Sequence, residues 1–139
     1  SGDHAIYPDC RQEFHEKLFE AFCVGNWDSE KLSLILPYIC KNKHTILKEA
    51  LSNCEVLGLD FDTVFRNTNT SYEPDELGRS SGKTGADVER ILAFHALGRK
   101  DPVSYQQNWE SVLAWATNKE KEYQKNRTNS TKVTTKPTF

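Results

Sequence analysis

The sequence predicts an all-α fold, a compact bundle of five to six helices whose first three are stapled by two disulfides. Three observations predict it. Apolar residues recur at helical spacing in successive segments. Asn, Asp and Thr stand where helices begin, and Gly stands where they end. All four cysteines fall between Cys10 and Cys54. A chain of 139 residues can build one domain around a single core. The pattern assigns that domain to residues 1–124 and leaves 125–139 as a disordered, basic tail rich in Thr, Ser and Lys.

The first helix is expected over residues 8–24. Pro8 fits a first turn, where its missing N–H has no partner to lose, and Gly25 suits a left-handed C-terminal stop. Cys10, Phe14, Leu18 and Phe22 stand four apart, with Phe19 and Cys23 beside them, and form an apolar stripe. A second helix is expected after Asn26 or Asp28. Leu32, Leu34, Ile35 and Leu36 make it apolar nearly all round, and Pro37 kinks or ends it near Cys40.

A third helix, 43–57, lies between Asn42 as cap and Gly58, with Ile46, Leu47, Ala50, Leu51, Cys54 and Leu57 on its inner side. A short fourth, 61–66, follows Asp60. Residues 67–84 are turn chemistry and form a long loop, a kind of segment that is either functional or mobile. Helix resumes over 86–97, where Thr84 and Asp87 resemble a capping box and Gly98 stops the run. The last helix is expected from Pro102, with Asp101 as its cap, to about Tyr123.

Cys10 and Cys23 lie about 20 Å apart along one helix and about 140° apart around it, too distant to pair with each other. In an up-down-up arrangement the second helix returns Cys40 to Cys10, and the third carries Cys54 to Cys23. The expected bridges are therefore Cys10–Cys40 and Cys23–Cys54, with Cys10–Cys54 and Cys23–Cys40 as the other open pairing. An even cysteine count and three sequons, at Asn69, Asn126 and Asn129, predict a secreted glycoprotein. The chain begins at Ser1 and has no methionine, which predicts that a segment before it has been removed.

Charge narrows the partners. Residues 1–118 hold 12 Lys and Arg against 18 Asp and Glu, whereas 119–139 hold 6 against 2. An acidic body with no basic face argues against nucleic acid, and no apolar run reaches the length of a membrane span. Gly78 to Thr84 resembles a phosphate-binding loop but has three residues between its glycines where four are needed, and no strand precedes it. His15-Glu16 begins like a zinc-protease helix, but Phe19 occupies the place of the second histidine.

With no nucleophile and base at a recognisable spacing, the expectation is a non-catalytic, secreted helical protein that engages another macromolecule, without metal or cofactor. Its contact surface is placed on the loop, at Tyr72, Glu73, Asp75, Glu76, Arg79 and Lys83. The alternatives are a carrier of a small apolar ligand, in a pocket among Phe14, Phe22, Leu51, Ile91, His95 and Trp109, and a cytosolic interaction domain with free thiols. The partner is thus an unknown protein or a small apolar ligand.

Overall fold

The computed structural model describes residues 7–132, and the side chains of residues 7–126. Five α-helices carry the fold: α1, Gln12–Val24; α2, Lys43–Leu57; α3, Phe61–Arg66; α4, Gly85–Ala96; and α5, Trp109–Lys132. Two single 3-10 turns, Pro8–Cys10 and Ser29–Lys31, flank α1.

Helix α4 is the centre, because it packs against α5 on one side and α2 on the other. Its apolar residues divide accordingly. Ala93 and Phe94 join Leu47, Cys54 and Phe61 in one cluster, while Val88 and Ile91 join Val112 and Ala116 in a second. Trp109 packs partly buried against both clusters and links them. Within the first, the rings of Phe61, Phe65 and Phe94 stand 4.4 to 6.1 Å apart, at the spacing of tilted and edge-on aromatic contacts.

The helix starts follow the capping chemistry of the sequence. Asn42 accepts a hydrogen bond from the Thr45 N–H and Asp60 one from the Thr63 N–H. Thr84 and Asp87 form a complete capping box. Gly58, at φ 66°, closes α2 in the left-handed region that a residue with a Cβ avoids.

The disulfide-stapled bundle is not what forms. All four cysteines are free: Cys10 and Cys23 half-buried, Cys40 exposed and Cys54 buried. The expected second helix is absent; the irregular segment around Cys40 returns beside Cys10, but Cys40 is exposed and no bridge joins them. Asp28 turns to a left-handed φ of 58° and caps nothing, and only Ser29–Lys31 coil before the chain becomes irregular through Leu36. Pro37 reinforces this, because a residue before proline is pushed away from helical geometry. Cys54, for its part, is sealed in the cluster with Phe61 and Phe94, while among the described helices and turns α1 packs only against the two short turns.

The last helix also differs from expectation. It starts at Trp109, with Asn108 accepting from the Ser111 N–H, because Asp101 is committed elsewhere. It runs on to Lys132, supported in its outer part by Lys119–Glu122 and Gln124–Glu120 bonds at helical spacing. Residues 133–139 of the expected tail lie outside the described residues.

Candidate functional site

A cavity of about 380 Å³ opens where the first 3-10 turn and α1 approach the start of α2. That volume lies in the range of small-ligand sites. Its walls are mostly apolar, from Ile35, Leu36, Pro37, Ile39 and Ile46. The segment 32–39 supplies most of them because it did not coil: an irregular strip spreads its side chains along a cleft that a helix would have turned away.

Five of the lining residues carry groups able to bond or react: Cys10, His15, Tyr38, Lys41 and Lys43. Both lysines are held in place. Lys41 bonds Glu49 and stands 5.2 Å from the centre of the Tyr38 ring, while Lys43 is paired with Glu89 of α4. The central helix thus positions one side of the cleft. Lys41 and Lys43 flank the cap Asn42, so the start of α2 brings two cations to the same rim. Such a half-open cleft offers apolar side chains and the Tyr38 ring to a flat ligand, with two lysines at its rim.

Sequence reasoning missed this cluster. It assigned Cys10 and Cys40 to bridges and treated Tyr38 as the frayed end of a helix. The available signal was the sequence Tyr7-Pro8-Asp9-Cys10-Arg11 with His15 five residues after the cysteine, a thiol and an imidazole close in sequence once no disulfide is assumed.

The expected interaction loop is ordered by two buried polar knots. In the first, the Asp87 carboxylate accepts from the hydroxyls of Ser80 (2.8 Å), Ser81 (3.1 Å) and Ser71 (3.2 Å) and from the N–H groups of Lys83 and Thr84 (each 3.1 Å). Asp87 is 1% exposed. Burial pushes its carboxyl up, but the hydrogen bonds from Ser80, Thr84 and Ser81 outweigh burial and hold it below the ordinary carboxylate range.

In the second, Arg90 grips Asp101 with two N–H donors at 2.5 and 2.9 Å and reaches the Thr68 hydroxyl and the Phe65 carbonyl. Tyr105 donates its hydroxyl to Asp101 at 2.8 Å. Burial, and after it the Asp101 charge, pushes the Tyr105 phenol far above its ordinary value, so it stays a donor.

Of the loop candidates, Tyr72, Glu73, Glu76, Arg79 and Lys83 are exposed, and half-buried Asp75 is bonded to Arg79. The pocket candidates are dispersed. Phe14, Phe22 and His95 are exposed; Leu51 packs on the first cluster, Ile91 is buried in the second, and Trp109 lies between. None of the six lines the cavity. Asn69 donates its amide to the Gly78 carbonyl and accepts from the Ser71 N–H, Asn126 lies on α5, and the Asn129 side chain lies outside the described residues. Among the described residues no helix is long and apolar enough to cross a membrane, and no group of three His, Cys, Asp or Glu side chains is placed to hold a metal ion.

Residues 1–98 match the family described as Queuosine biosynthesis protein QueC. The chain is 43% identical over 106 residues to a 7-cyano-7-deazaguanine synthase of Psychromonas ingrahamii, a match that covers 76% of this chain and 42% of that protein. Synthases of the same name from Marinomonas sp. and Methanoregula boonei are 39% and 40% identical over 106 residues, each match covering 76% of this chain and 43% of the relative. No solved structure matches. The chain therefore spans less than half the length of the curated relatives it matches.

These matches overturn the expectation of a secreted, disulfide-bonded glycoprotein without catalysis. They equally overturn its two alternatives, the apolar-ligand carrier and the cytosolic interaction domain, because the relatives are synthases. Secretion was inferred from paired cysteines and sequons; the thiols are free, and the Asn69 amide is spent inside its own loop. The chain belongs to the queuosine biosynthesis protein QueC family.

Proposed function

We propose that this chain acts in 7-cyano-7-deazaguanine synthesis and that the cleft between Cys10 and Lys43 holds the deazaguanine ring. The supporting observation is the cleft itself. It lies within the residues matched to the family, and its walls suit the product named for the relatives, a flat bicyclic heteroaromatic bearing a nitrile. Apolar walls and the Tyr38 ring take the faces of such a ligand, and the Lys41 and Lys43 amines take its acceptor edge, whether ring carbonyl or nitrile nitrogen. The Cys10 thiol and the His15 imidazole are the groups on the wall suited to covalent attack and proton transfer.

Titration calorimetry with 7-cyano-7-deazaguanine tests this reading. Ile35 is 76% exposed and can be changed without opening the core. Ile35→Trp fills the cleft and should weaken binding by about tenfold or more, equivalent to about 1.4 kcal/mol. Tyr38→Ala removes the stacking ring and should weaken it by a similar factor. Binding unaltered by both changes places the ligand elsewhere.

A further inference from the structure

The loop 67–84 closes on a single atom. Asp87 Oδ2 accepts hydrogen bonds from the Ser71 and Ser81 hydroxyls and from the N–H groups of Lys83 and Thr84, all at 3.1 to 3.2 Å. The Thr84 hydroxyl in turn accepts from the Asp87 N–H. Four short side chains, those of Ser71, Ser81, Thr84 and Asp87, are thereby gathered at one point where α4 begins. The place is closed to solvent, with Asp87 1% and Ser81 9% exposed. Its backbone is pinned from outside as well. The Ser80 N–H donates to the Ser104 carbonyl, the Gln106 N–H donates to the Ser80 carbonyl, and Gly82 lies close against Val112.

The order of these residues is that of a metal-binding loop. Ser81, Thr84 and Asp87 follow one another with two residues between each pair, and Ser71 joins them from ten positions before Ser81. Structural zinc sites draw four ligands from pairs spaced about two to four residues apart and close around the ion with no open position. The backbone here supplies such a placement, but the side chains supply different chemistry. Zinc is held by thiolate, imidazole or carboxylate. Three of these four groups are hydroxyls, which keep their protons and enter ordinary hydrogen bonds. The fourth, Asp87, has both oxygens engaged, because the Ser80 hydroxyl donates to Oδ1 at 2.8 Å. Every cysteine of the chain lies at or before Cys54, and Cys54 is buried with Phe61 and Phe94. Calcium and magnesium take oxygen ligands but need several charged or carbonyl oxygens, and the knot offers one carboxylate that hydrogen-bond donors already surround.

We infer that the Asp87 knot is a metal-free counterpart of a four-ligand structural metal site, in which hydrogen bonds to one buried carboxylate hold the loop in the arrangement that coordination would impose. The loop owes its order to no ion, and thiols at the same four positions form a zinc site. The inference concerns the loop alone and stands whichever ligand the cleft takes.

The test has two parts. In the first, the unaltered full chain is unfolded in guanidinium chloride with EDTA, refolded in the chelator, and read by elemental analysis and by amide exchange at residues 80–84. The loop amides should regain the slow exchange of the untreated chain, with no further slowing when zinc is added. One zinc per untreated chain, or loop amides that slow only after metal is restored, overturns the inference. In the second part, Ser71→Cys, Ser81→Cys, Thr84→Cys and Asp87→Cys are combined in one chain. This variant should bind one zinc per chain, and cobalt in place of zinc should give the absorption of a tetrahedral tetrathiolate site. A variant that folds without binding zinc, or that stays unfolded with zinc present, overturns the four-ligand placement and the inference with it. The first part needs no substitution, so it decides the metal question whether or not the variant folds.

Discussion

At the scale of single residues, two positions hold the loop 67–84 in place by different means. Gly82 has a φ of 72°, and a Cβ built there falls 2.7 Å from Val112 Cγ1 and 3.4 Å from the Tyr105 ring. Gly82→Ala combines left-handed strain with displacement of a core valine, and should cost about 2–4 kcal/mol in a denaturant melt. Asp87 acts through hydrogen bonds. Its carboxyl titrates below the ordinary 3.8 in the folded chain, so it contributes stability that is fully present above pH 3.8 and is lost as pH falls through the lower folded value. Amide exchange at residues 80–84 should therefore stay slow at neutral pH and accelerate selectively below that value. Asp87→Ala, which strands buried hydroxyls and N–H groups, should loosen the same amides at neutral pH and cost about 3 kcal/mol or more. The sequence showed Asp87 as half of a capping box, which it is. It could not show that Ser71, Ser80 and Ser81 converge on the same carboxylate, because that depends on how the loop folds back.

At the scale of elements, legibility followed the caps. Helices α2 and α3 were readable to the residue because Asn42, Asp60 and Gly58 act through neighbours three or four positions away. Asn42→Ala should lower stability by about 1 kcal/mol, measured by thermal unfolding, since it removes the acceptor for the Thr45 N–H. The expected second helix failed where local and apolar signals disagreed. Leu32 to Leu36 read as a buried helix on hydrophobicity alone, yet Asp28 provides no cap, Pro37 opposes the last turn, and Leu32, Leu34 and Ile35 remain exposed. The start of α5 was misplaced for a related reason. Asp101 has the chemistry of a cap, but it is the buried counter-ion of Arg90, eleven residues earlier in the chain, and that partnership leaves the cap to Asn108.

At the scale of the whole molecule, the two halves of the chain differ in kind. Residues 43–126 carry both apolar clusters and both buried polar knots, around α4. Residues 7–42 contribute a cleft wall and a helix that buries none of its residues. The sequence concealed this, because an apolar stripe has the same spacing whether it is buried or left exposed. Assigning Cys10 to a disulfide then turned a wall of the cleft into scaffold. The most direct measurement of the central claim is amide hydrogen exchange of the unaltered chain with and without saturating 7-cyano-7-deazaguanine. Slowed exchange concentrated at residues 35–46, with residues 67–84 unchanged, is the predicted result. Unchanged exchange at 35–46, or protection centred on the loop 78–84, would contradict it.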